Sequence, residues 1–186
     1  MQRWGSPRAL ESRITRHDSI VASQRGSAAI EFAIVAPILL ALIVATLQTS
    51  ILFFVQQTLE STVEMSARTL ATGLAQTTGM TGPAFRTALC KTLPPFLRCD
   101  AIVIDVRAID GFTQAGNGLP SLVDSAGNPI AAGAFAPGDA GSVVVMRVVY
   151  PFPVLPGPLG FSLSNMGGGK RLLMATSVFR TEPYSQ

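Results

Sequence analysis

The chain has 186 residues, 48% of them hydrophobic and only 13% charged, with a formal net charge of +3. That length holds one modest domain plus an anchor, not a multidomain enzyme. Five of the fourteen basic residues precede Gly26, and the rest of the chain carries nine basic and nine acidic side chains, so the folded part has no basic excess with which to hold nucleic acid.

Residues 1–26 form a leader in which Arg3, Arg8, Arg13, Arg16 and Arg25 face only Glu11 and Asp18. It shows no apolar periodicity and is predicted to be disordered up to residue 25. A helix is predicted to start near Ser27. After Glu31 the run Phe32–Val55 holds 24 residues without a charge. About 20 apolar residues cross a bilayer as a helix, so this run spans one with some tilt. No arginine follows the leader until Arg68, which puts the N-terminus in the cytoplasm and the C-terminal part outside. The run exceeds the 7–15 residues typical of a secretory signal core, and no small-x-small site follows it, so retention is expected. Pro37 lies inside the span and should kink it or loosen its hydrogen-bond ladder.

Beyond Val55, apolar residues recur at helical spacing: Val55, Leu59, Val63, Leu70 and Leu74, with Ser66 and Ala67 between. Gln56, Glu60, Glu64 and Arg68 fall on the opposite side, and Gly73 and Gly79 supply helix ends. A continuous helix over Ser27–Thr72 would be about 70 Å long. A short helix is predicted over Pro83–Lys91, and Pro94-Pro95 then breaks the chain. Strands are predicted over Ala101–Arg107, Ser142–Tyr150 and Arg171–Arg180, the first with Ile102, Ile104 and Val106 on its inner face. Gly111–Gly141, crowded with Gly, Ala, Pro and Asn, reads as a flexible loop that is either functional or mobile. The prolines at 151, 153, 156 and 158 are expected to end the second strand sharply at Tyr150.

Catalytic chemistry finds little support. His17 is the only histidine and lies in the leader, which rules out Ser-His-Asp and Cys-His machinery and any histidine zinc site in the outer part. Gly167-Gly168-Gly169-Lys170 lacks the Ser or Thr and the first glycine of a phosphate loop, and is read as a turn before a strand. Asp100, Asp105 and Asp110 match no calcium loop and are expected to be solvated acids. Cys90 and Cys99, the only cysteines, both lie on the outer side. There they are expected to form a disulfide, with buried free thiols as the alternative and no metal site.

Glu31 is the residue that needs explaining. A carboxylate at the centre of a bilayer costs roughly 2.5–3.5 kcal/mol on insertion scales, and less near the edge. Two ordinary accounts are a favourable charge in the first turn of a helix starting at Ser27, and snorkelling to the cytoplasmic interface. The spacing of Gly26, Glu31, Phe32 and Pro37, however, resembles the processing site of Flp/Tad-type prepilins, most closely that of TadE-like pilus assembly proteins. The resemblance continues to Ser66-Ala67-Arg68, and returns at Gly141–Val145 and Tyr150–Pro158 and in the close Phe179-Arg180-Thr181-Glu182-Pro183-Tyr184. Gln48 is neutral at a point where many relatives carry a second acid.

The resemblance implies a cut between Gly26 and Ser27, which makes Glu31 and Phe32 the fifth and sixth mature residues. Glu31 would then meet the new Ser27 amine of a neighbouring helix, with Ala28, Ala29, Ala33 and Ala36 allowing close approach. The expected fold is α+β: a long N-terminal helix, part transmembrane and part amphipathic, packed on a small antiparallel sheet in the manner of a pilin. The expected organisation is a cleaved cytoplasmic leader (1–26), a transmembrane helix (27–55), its outer continuation (56–79) and a small outer domain (80–186). The expected function is that of a minor pilin or pseudopilin in assembly of a Flp/Tad adhesive pilus, without enzymatic activity, cofactor or metal. Its partners would be a prepilin peptidase, other pilus subunits, the inner-membrane assembly platform and membrane lipid. The rival reading is an uncleaved single-pass protein that presents a small binding domain outside the cytoplasmic membrane.

Overall fold

A computed structural model describes residues 24–116 and 118–183; the leader before Gln24 and the closing Tyr184 lie outside the described residues. The elements in chain order are α1 (Gln24–Ala71), α2 (Leu74–Thr77), α3 (Gly82–Thr92), β1 (Val103–Ile109), β2 (Phe135–Ala136), β3 (Val143–Pro153) and β4 (Lys170–Arg180). The chain divides after Leu40, and its two parts are described in turn.

The first part holds the opening of α1. The helix is already formed at Gln24, the first described residue and three before the expected Ser27, and runs on through Pro37, which has no N–H to offer the Ala33 carbonyl. Ile30, Phe32, Ile34, Val35, Ile38, Leu39 and Leu40 are all exposed, as lipid-facing residues must be and core residues are not.

The second part is built on the outer stretch of α1. Leu52, Val55, Leu59, Val63, Ala67 and Leu70 are buried and pack against Val106, Val144, Met146, Val148, Leu173 and Ala175 of the sheet; Leu74, read into the same stripe, is instead 52% exposed, because α1 stops at Ala71 and Leu74 opens α2. Burying each such aliphatic side chain contributes about 1.5–3 kcal/mol. α1 ends where Gly73 adopts φ 71°, a left-handed conformation that glycine takes without strain. The close of the chain ties this end down: the Glu182 N–H donates to the Ala71 carbonyl at 2.7 Å, and the Thr181 N–H to Ser142 at 2.9 Å. α3 begins with Thr81, whose hydroxyl accepts from the Ala84 N–H, and Pro83 follows in its first turn. Its Phe85 and Leu89 complete the core.

The sheet has the order β2-β1-β3-β4. β1–β3 and β3–β4 are antiparallel, as expected, but β2 runs parallel to β1, so the sheet is mixed. β3 does not stop at Tyr150. It continues to Pro153, with Pro151 opposite Leu172 and Pro153 opposite Lys170. Past Val149 it has no β1 partner, so these prolines withhold N–H groups on an edge where none is needed. Residues 111–141 hold β2 and place Leu122 and Ile130 over Val103 and Val149, covering the second face of the sheet.

Candidate functional site

The residues expected to form the processing and assembly site lie within two turns at the start of α1. Gly26 is exposed, its φ is not left-handed, and a Cβ added there would meet nothing within 4 Å. No packing or backbone requirement explains a glycine at this position, which costs a helix about 1 kcal/mol relative to alanine. Among the described residues nothing packs over the adjacent Gly26–Ser27 bond, and the glycine lowers the cost of unwinding the helix there.

The Ser27 hydroxyl donates to Glu31 Oε1 at 3.1 Å, one turn along the helix, and both residues are exposed. Because α1 begins at Gln24, Glu31 is the eighth helical residue, beyond the free N–H groups of the first turn. In the uncut chain the helix terminus therefore does not account for its charge. Among the described residues this is its one hydrogen bond, and a neutral hydroxyl would be weak compensation for a carboxylate beside lipid. Phe32 is 73% exposed, pointing away from any core. Pro37 is also exposed, one and a half turns further on.

One helix, Gly26–Ala71, is long and apolar enough to cross a membrane, and its most apolar stretch is almost wholly exposed. A core helix of similar composition would be buried. A disposable signal would leave the core intact when removed, whereas this helix supplies Leu52 to Leu70 to that core.

In the second part, Cys90 at the end of α3 and Cys99 are joined by a disulfide with Cα atoms 5.6 Å apart. Beside it, Arg86 donates to the carbonyls of Cys99 at 2.6 Å and Ile102 at 2.7 Å. The expectation of three solvated aspartates fails at Asp105. Its carboxylate is fully buried, accepting from Arg147 Nη2 at 2.6 Å, from Arg107 Nε at 3.0 Å and from the Ala134 N–H at 2.8 Å. Burial pushes this carboxyl up, but Arg147, the Ala134 N–H and Arg107 outweigh it and hold it below the usual aspartate range. The missed signal is cross-strand: Asp105 lies directly opposite Arg147, a register that one sequence does not reveal. Asp100 is a surface acid paired with Arg98 at 2.6 Å. Asp110 is exposed and accepts from the Gln114 side chain at 3.2 Å. Among the described residues no group of three His, Cys, Asp or Glu side chains gathers to hold a metal.

No curated protein and no solved structure matches the chain. Residues 26–68, which begin at the candidate cut and contain Ser27, Glu31, Phe32, Pro37 and most of the buried stripe of α1, match the TadE-like protein family.

Proposed function

We propose that the chain is a minor pilin or pseudopilin of the TadE-like kind. It is inserted in the cytoplasmic membrane with its N-terminus inside, cut between Gly26 and Ser27 by a prepilin peptidase, and used in assembling a Flp/Tad-type adhesive pilus on the inner-membrane platform. Its role is structural: it is a substrate of the peptidase and a partner of other subunits. The observation that carries the reading is Glu31, a carboxylate on an exposed apolar helix whose one hydrogen bond among the described residues is to the Ser27 hydroxyl, in a segment whose family match starts at Gly26.

Cutting there frees a cationic amine on Ser27. A neighbouring subunit that offers this amine to Glu31 compensates the carboxylate and fixes the stagger between helices, since any other register leaves both charges unpaired. The glycine before the cut leaves the peptidase an unobstructed bond.

The test is the mature N-terminus, read by mass spectrometry from cells with intact pilus machinery. Ser27 is expected, and Met1 would overturn the proposal. Gly26→Ala should remain uncut. Glu31→Leu should insert and be cut, yet lose co-purification with other pilus subunits. Breaking a desolvated pair costs roughly 3–5 kcal/mol, a hundredfold to several thousandfold in affinity. Normal fibres from the Glu31→Leu chain would refute the pairing.

A further inference from the structure

We propose that the segment Pro151–Leu163 is a second membrane contact, a loop that seats in the outer leaflet beside α1 and fixes the depth of the sheet domain against the bilayer. The inference rests on α1 spanning a membrane and is independent of pilus assembly.

From Val148 to Gly169 there are 22 residues without a charge, bounded by Arg147 and Lys170. At the tip of this stretch Leu155 is 76% and Leu159 86% exposed. Leu159 also has φ 56° and ψ 28°, a left-handed conformation in which glycine or asparagine would be relaxed. Leucines this open to solvent are poorly suited to water and well suited to lipid.

Its position says which surface it meets. The Gly157 backbone lies against Gln48 of α1, so that a Cβ added there would come within 3.0 Å of Gln48 Oε1. A cleft of about 140 Å³ between the two is lined by Gln48, Ile51, Leu52, Val154, Leu155 and Leu163 among others. Any stretch of about 20 residues taken from the uncharged run Phe32–Val55 contains residues 36–51. Gln48 is therefore three to seven residues inside the outer end of the span, about 5–10 Å at the helical rise. The loop beside it shares that depth, which is the depth at which interfacial segments bury their apolar face.

The backbone tolerates this placement. Irregular chain in hydrocarbon is costly because its N–H groups go unpaired. Here Pro151, Pro153, Pro156 and Pro158 carry none, and the N–H groups of Val154, Gly157 and Phe161 donate to the carbonyls of Gly169, Phe161 and Pro158 at 2.9, 2.8 and 3.1 Å; those of Leu155 and Leu159 have no partner among the described residues, which holds the tip at the headgroup boundary, where water reaches them, and out of the bilayer centre. Lys170 and Arg171, at the start of β4 beside the loop's base, are placed for headgroup phosphates.

The test uses the full chain with its disulfide intact, in vesicles of phosphatidylethanolamine and phosphatidylglycerol with and without brominated acyl chains. Single cysteines at Leu159→Cys, Leu155→Cys, Ile43→Cys in the span and Ser125→Cys on an exposed turn are each labelled with a small fluorophore. The probes at 159 and 155 should lose emission as the span probe does, more strongly with bromines near the headgroup than at the chain ends, while the probe at 125 keeps its emission. Emission at 159 and 155 unaffected by bromine, with the probe at 43 quenched, overturns the loop contact and leaves the span standing. Protection of the loop probes only when other pilus subunits are added also overturns it, in favour of a protein face. An unquenched probe at 43 removes the span itself, and the loop contact with it.

Discussion

Neutralising Asp105 should cost more than any other single change to the sheet domain. The carboxylate is fully buried, and its partner Arg147 keeps only 11% of its side chain exposed, with its Nε bonded to nothing among the described residues. Asp105→Asn preserves shape and an acceptor for the Ala134 N–H, but it turns an amide donor toward a guanidinium and strips Arg147 of its counter-charge. Removing one partner of a buried pair costs about 3–5 kcal/mol, a large share of the 5–15 kcal/mol that holds a domain together. Hydrogen exchange of the β1 and β3 amides in detergent-solubilised protein, or a urea titration followed by proteolysis, should show that loss. The double variant Asp105→Leu/Arg147→Met should recover much of it, because it removes both desolvated charges. Acid supplies a second reading. A carboxyl held below its unfolded value stabilises fully above about pH 4, and the benefit is lost as pH falls through the folded value. Asp100 and Asp124 are shifted the same way, so the quantity to compare is the acid limb of the wild-type chain against that of Asp105→Asn, which should be flatter. A loss below about 1 kcal/mol, or identical acid limbs, would refute the assignment of Asp105 as a buried ion.

The disulfide and a tight glycine give two further tests. Cys90→Ser should lower stability by about 2.5–3 kcal/mol, the chain-entropy value for closing this short loop. Reductant should shift the urea midpoint of the wild type by the same amount and leave that of the variant unmoved. Gly133→Ala should cost about 1–3 kcal/mol, because the new Cβ would run into the Ile104 carbonyl and lie 2.8 Å from Asp105 Cα, backbone that cannot step aside. The effect should be read at the Val106 amide, which donates to the Ala134 carbonyl, while Gly116→Ala, with open space around it, serves as the neutral control.

What was legible in the sequence is what depends on neighbours along the chain. Val55, Leu59, Val63 and Leu70 recur at helical spacing and are buried, while Leu74, the fifth residue of that pattern, is exposed because the helix ends before it. Alternation placed β1, β3 and β4 within a few residues of where they lie, and the glycine-to-phenylalanine spacing at 26–32 is local by nature. The unread features are set by register and by partners distant in sequence. Proline chemistry argued for a stop at Tyr150, but β3 continues because its β1 side is open there. β2 is two residues long and owes its existence to the Val106–Phe135 pairing, not to any pattern of its own. Asp105 reads as a surface acid until Arg147 is set opposite it.

The buried stripe also bears on how the chain is processed. Among the described residues the core begins at Leu52, and a cut at the outer end of the apolar run would remove Leu52 and Val55 and leave the sheet without part of its packing, which a cut after Gly26 does not. The outer stretch of the helix is thus worth keeping for the domain it supports. The TadE-like match covers this same helix: it starts at Gly26 and runs to Arg68, taking in the Glu31 entrance, the apolar run and most of the stripe.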